Sequence, residues 1–348
     1  MKTKEELIAG FDPNAAAPAG AGLYGLPFSA EQSDIIIIPV PWEVTVSFGS
    51  GTGRGPQSIA EASAQVDLHH HNFPELWKRG IFMDKIPDDI MLLGEKARED
   101  ALTLIEAIEK GEDITADPAL RAKQEWVNEA CGMMNAWVRD RAGFWRIQGK
   151  MVGLVGGDHS IPLGYIQLQG ENHPEFGILH IDAHMDLRIA YEGFTWSHAS
   201  IFYNAMETVP QIGRLVQVGI RDYCEQENNY IKANGERIAV YFDRELRNRL
   251  YKGESWHRLC LEIVGHLPEK IHISVDIDGL DPKLCPNTGT PVPGGMEYEE
   301  LMHLLSVVKD SGKEIIGFDL CEVGSGVNGW DANVGARVLY QLCGTMAG

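Results

Sequence analysis

Short β-rich runs recur along the chain between longer segments of helical period: DIIIIPVP (34–41), MVGLVGG (151–157), FGILHID (176–182), GRLVQVGI (213–220), RIAVYF (237–242), KIHISVDID (270–278) and EIIGFDLCEV (314–323). Strand and helix in alternation build a parallel sheet with helices on both faces. The unbroken apolar stretch from Ile35 to Val40 suits a strand covered on both sides. The fold class read from this pattern is α/β, with a central, mainly parallel sheet.

A length of 348 residues fits one large α/β domain. Residues 1–30 are charged and then Ala/Gly/Pro-rich, without the apolar centre of a secretory signal, and are expected to form a mobile arm. Residues 31–348 form the domain, interrupted by an irregular, charged excursion around 72–116. After it, Asp117 as N-cap and Pro118 at the first helical position open a long helix running to Gln148. The six cysteines are scattered singly, which suits reduced thiols in a cytoplasm. No apolar run is long enough to span a bilayer. A net charge of −20 argues against nucleic acid as a partner and favours a small cation as ligand.

Metal-ligating side chains gather where three of the runs end. GGDHS with His159 follows the run at 151, Asp182-Ala183-His184-Met185-Asp186 follows the one at 176, and Asp276-Ile277-Asp278 ends the one at 270. Ligands of open α/β sheets bind beyond the carboxyl ends of the strands, so the three clusters can meet. Alternate residues of an extended segment project to one side, which groups Asp182, His184 and Asp186, and likewise Asp276 and Asp278. Four carboxylates and two imidazoles exceed the negative charge one pocket can hold without cations. Two divalent ions would neutralise them; oxygen and nitrogen donors without thiolate suit Mn²⁺, with Ni²⁺, Fe²⁺ or Co²⁺ as physical alternatives. Any one of these clusters alone reads equally as a turn or a helix cap.

GGDHS, IDAHMD and SVDIDGLDP together resemble the three signature blocks of the ureohydrolases, the arginase and agmatinase family, and the likeness runs from about residue 34 to 345. NTGTPVPGG (287–295) resembles the agmatinase side, while PVPWEVTVS (39–47) with WSHAS is similar to a branch that includes nickel-dependent guanidine hydrolases. The resemblance implies a three-layer α/β/α arginase-like fold, usually assembled as trimers or hexamers. It implies that His159, Asp182, His184, Asp186, Asp276 and Asp278 hold two ions per subunit, Mn²⁺ or alternatively Ni²⁺. His198 matches a proton-shuttling histidine and Glu322 a carboxylate that pairs with the guanidinium; Asp158 and Asp281 are expected to orient ligands or loops. The implied reaction is amidinohydrolysis of a small cationic guanidino compound (guanidine, agmatine, guanidinobutyrate or a biguanide) to urea and an amine or ammonia.

The substrate side chain is less constrained. Arg188 resembles formimidoylglutamase, and that activity, releasing formamide, is the first alternative; it requires Arg188 in the pocket and no aromatic wall. Tyr191, Phe194, Trp196 and Trp330 are candidates for such a wall, with Trp196 the expected substrate contact. A non-catalytic oligomer partner is the other alternative, opposed by the retention of all six ligands. SFGSGTGRGP (47–56) lacks the Gly-Lys-Ser/Thr of a phosphate loop and resembles the family's pocket-mouth loop. Trp126, Trp137 and Trp145 fall at roughly helical spacing and are read as packing.

Overall fold

The computed structural model describes residues 2–18 and 20–348. The strands are β1 (Ile35–Val40), β2 (Ile81–Met83), β3 (Met151–Gly156), β4 (Phe176–Ile181), β5 (Ile212–Ile220), β6 (Ile238–Phe242), β7 (Lys270–Asp276) and β8 (Glu314–Cys321). They form one sheet in the order β2-β1-β3-β8-β7-β4-β5-β6, with every pairing parallel. The helices are α1 (Lys4–Gly10), α2 (Gly55–Ser63), α3 (Asp88–Glu109), α4 (Pro118–Ile147), α5 (Leu163–Asn172), α6 (Ile201–Thr208), α7 (Glu225–Ala233), α8 (Asp243–Tyr251), α9 (Trp256–Gly265), α10 (Tyr298–Asp310) and α11 (Trp330–Ala347). Among the described residues, no helix is long and apolar enough to cross a membrane.

The pleat of β1 makes the layering visible. Ile35 and Ile37 join a core with residues of α2, α9, α10 and α11, whereas Ile36, Ile38 and Val40 join one with residues of α3 and α4. Consecutive side chains thus enter opposite cores, which is why the run is apolar without alternation. Beyond β3 the chain crosses over β8 and β7 before laying down β4, so the four central strands bring distant sequence blocks to one rim.

Asp117 caps α4 as expected, its carboxylate accepting from the Ala119 N–H at 2.7 Å, with Pro118 in the first turn. Trp145 is buried and Trp126 and Trp137 pack against the same core. Two expectations change. The 72–116 excursion is not irregular: it holds edge strand β2, whose Ile81 is in register with Ile35, and the 22-residue α3. Ala97, Ala101, Leu104 and Ile105 are the buried stripe of α3, a spacing of four, three and one that its many charges obscure. In the segment read as an arm, Leu23, Tyr24, Leu26 and Phe28 are buried, and the Tyr24 hydroxyl donates to the Ala336 carbonyl at 2.8 Å. Its aromatic and leucine content anchors it despite the Ala/Gly/Pro stretch before it.

Candidate metal centre

The predicted ligands meet at the carboxyl rim of β3, β8, β7 and β4. Asp182 directly follows β4, Asp276 ends β7, Glu322 directly follows β8, and His159 lies in the turn after β3. That turn is tight because Gly157 has no side chain: a Cβ there would lie 1.8 Å from the Trp42 carbonyl oxygen. The same carbonyl accepts from the Asp158 N–H at 2.8 Å, which points the following His159 inward.

His159 Nδ1 faces three carboxylates: Asp182 Oδ2 at 3.0 Å, Asp186 Oδ2 at 3.1 Å and Asp276 Oδ2 at 3.5 Å. His184 Nδ1 lies 3.0 Å from Asp278 Oδ2 and 3.4 Å from Asp182 Oδ1. Asp182 therefore offers one oxygen to each group, joining two sets of donors into one centre. Asp278 Oδ2 is buried without a hydrogen-bond partner although His184 Nδ1 is so close. Two potential ligand atoms converge there, the arrangement a cation satisfies when it displaces the proton they would otherwise share. The residues present thus fit a pair of divalent ions. Cys321 is also near, but burial and then the charge of Asp319 push its thiol well above its ordinary pKa, so it offers no thiolate.

Electrostatics points the same way. Burial works against charge on His184, yet the carboxylates of Asp278 and Asp182 outweigh it and push the ring up to about 12. Burial and then the charge of Asp182 push Asp186 up to about 7, and burial with the charges of Asp278 and Asp182 raises Asp276 strongly. Without cations the cluster holds protons that ions must displace. Loading the stripped protein is therefore expected to acidify a weakly buffered solution by more than about one proton per chain, and metal affinity should rise at least about tenfold from pH 6 to pH 8. Indicator-dye titration measures the first and equilibrium dialysis the second; pH-independent binding contradicts both.

One layer below the ligands runs a polar rung that the sequence reading passed over. Gln217 on β5, His180 on β4, Ser274 on β7 and Asp319 on β8 are neighbours in register across four strands, all buried. Gln217 Nε2 donates to the Met185 carbonyl at 2.7 Å and to His180 Nδ1 at 2.9 Å, so His180 carries its hydrogen on Nε2 and donates it to Asp182 Oδ2 at 2.8 Å. Ser274 Oγ donates to Asp319 Oδ1 at 2.7 Å, and its oxygen accepts from His159 Nε2 at 2.9 Å. In the neutral ring this places the hydrogen on Nε2 and leaves Nδ1, aimed at the carboxylates, as the free nitrogen, the tautomer a metal needs. His272 completes the support at 2.6 Å from Asp319 Oδ2. The available signal was the period of two: His180 precedes Asp182 by two residues, and Ser274 and His272 precede Asp276 by two and four.

Beside the ligands opens a cavity of about 310 Å³ lined by His159, His184, Asp186, Asp276 and also Arg188, His198 and Glu322. Glu322 Oε1 accepts from the His159 N–H at 3.1 Å while buried Oε2 has no partner. Asp186 and Glu322 both sit in left-handed backbone, at φ 55° and 61°. That conformation costs a non-glycine residue about 1–2 kcal/mol, and its use at two cavity residues marks backbone committed to aiming side chains. His198 Nδ1 lies 3.2 Å from Thr45 Oγ1. The Arg188 guanidinium stacks over Tyr191, 4.9 Å from the ring centroid.

The expected aromatic wall is only partly where it was placed. Tyr191 lines the cavity, joined by Phe48 and Tyr223 from other loops. Phe194 is buried in the core and Trp196, two residues on, packs against it, so Trp196 faces the protein interior and is not a lining residue. Trp330 is half exposed, with its indole N–H donating to the Lys283 carbonyl. Asp158 is buried and accepts from the Ser160 N–H at 3.0 Å, and Asp281 accepts from the Lys283 N–H at 3.0 Å; both stabilise turns, and among the described residues neither hydrogen-bonds to a ligand side chain.

Residues 33–344 match the family described as Arginase family. The N(1)-aminopropylagmatine ureohydrolase of Thermus thermophilus is 30% identical over 318 residues, 90% of each chain. The guanidinobutyrase of Pseudomonas aeruginosa is 29% identical over 204 residues, 56% of this chain and 60% of that one. In fold, the chain superposes on the proclavaminate amidinohydrolase of Streptomyces clavuligerus with a TM-score of 0.70 at 21% identity, covering 96% of this chain and 99% of the other. With its helix-flanked eight-stranded sheet and its clustered His and Asp side chains, the chain belongs to the arginase family of ureohydrolases, hydrolases of the C–N bonds of amidines.

Proposed function

We propose that this protein hydrolyses the guanidinium group of a small compound to release urea, and that the remainder of the substrate carries no positive charge. The observation that carries the reading is the joint lining of one cavity by the ligand cluster, by Glu322 with its free buried oxygen, and by Arg188. Bound at His159, Asp182, His184, Asp186, Asp276 and Asp278, two Mn²⁺ ions, or alternatively Ni²⁺, supply the Lewis acidity that brings water deprotonation near neutral pH.

The chain's own residues do the rest. Glu322, fixed through Oε1 by the His159 N–H, accepts a hydrogen bond from the planar cation through Oε2 and holds its carbon beside the ligands. His198 spends Nδ1 on Thr45 and keeps Nε2 for the cavity. Burial, then the charges of His184 and His159, push its ring down to about 3, so it stays neutral beside a cationic substrate. By way of Nε2, the proton given up by the attacking water passes to the departing nitrogen as the C–N bond breaks with its electron pair on nitrogen.

Among the described residues Arg188 forms no ion pair; stacked on Tyr191 in the wall, it repels a second positive charge such as the ammonium of agmatine. Asp222 also lines the cavity but is exposed and solvated, which screens it. Guanidine and guanidinobutyrate should thus be turned over with higher kcat/KM than agmatine. Arg188→Leu should raise agmatine relative to guanidine by about five- to tenfold, corresponding to about 1 kcal/mol. A urea-release screen tests this; wild-type preference for agmatine contradicts it. The aromatic wall of Phe48, Tyr191 and Tyr223 disfavours the formimidoyl alternative, for which formamide replaces urea as product.

A further inference from the structure

The helical excursion has no part in the chemistry described so far, yet one of its side chains reaches the site. Arg98, in the middle of α3, donates from Nη1 to the Val44 carbonyl at 2.9 Å and to the Val46 carbonyl. These two carbonyls flank Thr45, which is fully buried. Thr45 Oγ1 accepts from the His198 backbone N–H at 3.4 Å and lies 3.2 Å from His198 Nδ1. One hydroxyl thus touches both the main chain and the ring of His198, fixing the ring's position and the nitrogen it turns inward. The segment 42–48 has no regular secondary structure of its own, so the two bonds from Arg98 Nη1 hold Thr45 in place.

We propose that Thr45, clamped by Arg98 of α3, is the positioning residue of His198, holding Nε2 toward the cavity. The role of α3 is then to brace the proton-carrying histidine from behind. The inference rests on the reading of His198 as the proton carrier. Thr45→Val keeps the shape and removes the hydroxyl; kcat should fall about 10- to 100-fold with KM within about twofold and metal content unchanged. Thr45→Ser, which keeps the oxygen, should recover most of the rate. In a His198→Asn background, Thr45→Val should have no further effect, because the ring it positions is gone.

Full kcat in Thr45→Val, or an equal fall with and without His198, overturns the proposal in favour of a packing role. If His198→Asn itself turns over at the wild-type rate, the reading of His198 falls and the proposal with it, a result the single variants identify separately. Should Thr45→Val not fold, Arg98→Lys carries the same comparison: it keeps the charge but loses the planar Nη1 group set between the Val44 and Val46 carbonyls, and should lower kcat in the wild-type background only.

Discussion

Asp182→Asn is expected to weaken both metal sites at once, whereas His184→Asn is expected to weaken one. Asp182 gives Oδ2 to the group around His159 and Oδ1 to the group around His184, at 3.0 and 3.4 Å. It is also the acceptor of the His180 Nε2–H at 2.8 Å, so its charge organises the rung beneath. Losing a charged oxygen ligand that would serve both groups would cost about 2–4 kcal/mol per site, a weakening of about 10²- to 10³-fold each. Turnover should drop below about 10⁻³ of wild type, because activation of water by two ions is lost altogether. Elemental analysis after dialysis, run beside a urea assay, reads both effects. If Asp182→Asn kept two tightly bound ions, Asp182 would not be the bridge.

The second large effect concerns Glu322→Gln. Its Oε2 is a buried cavity carboxylate oxygen with no partner among the described residues, and burial, then the charges of Asp158 and Asp278, raise its pKa well above the ordinary range. A guanidinium reverses that by supplying the missing counter-charge. Replacing the carboxylate by an amide of the same shape puts an NH₂ or a neutral oxygen against the cation. It should lower kcat/KM by about 10²- to 10³-fold, a loss of about 3–4 kcal/mol, while two ions remain bound. Steady-state kinetics with guanidine and guanidinobutyrate, together with metal analysis, separate this from a ligand defect: loss of metal in Glu322→Gln would place it in the ligand set.

Much of this was legible before the fold was in view. Ile35 to Val40 is apolar without a break because both faces of β1 are covered, and the six ligands stand out because they follow such runs at a spacing of two. The rung of Gln217, His180, Ser274 and Asp319 was not, because its members come from four strands and only register brings them together. Strand β2 is three residues long and gives no period to read. Trp196 was misplaced for a related reason: a loop sequence does not say which of its aromatics turns to the cavity, and packing beside Phe194 decided it. Thr45 and Arg98 are 53 residues apart from each other in sequence and give no local signal, yet a pair of carbonyls links them.

Titrating metal-stripped protein with Mn²⁺, and separately with Ni²⁺, while following urea release tests the central claim most directly. Two ions per chain should bind, with the rate rising through the second equivalent and then flat. Urea release at full rate from the stripped chain, or a plateau reached with no more than one ion bound, would contradict a two-ion centre built on Asp182.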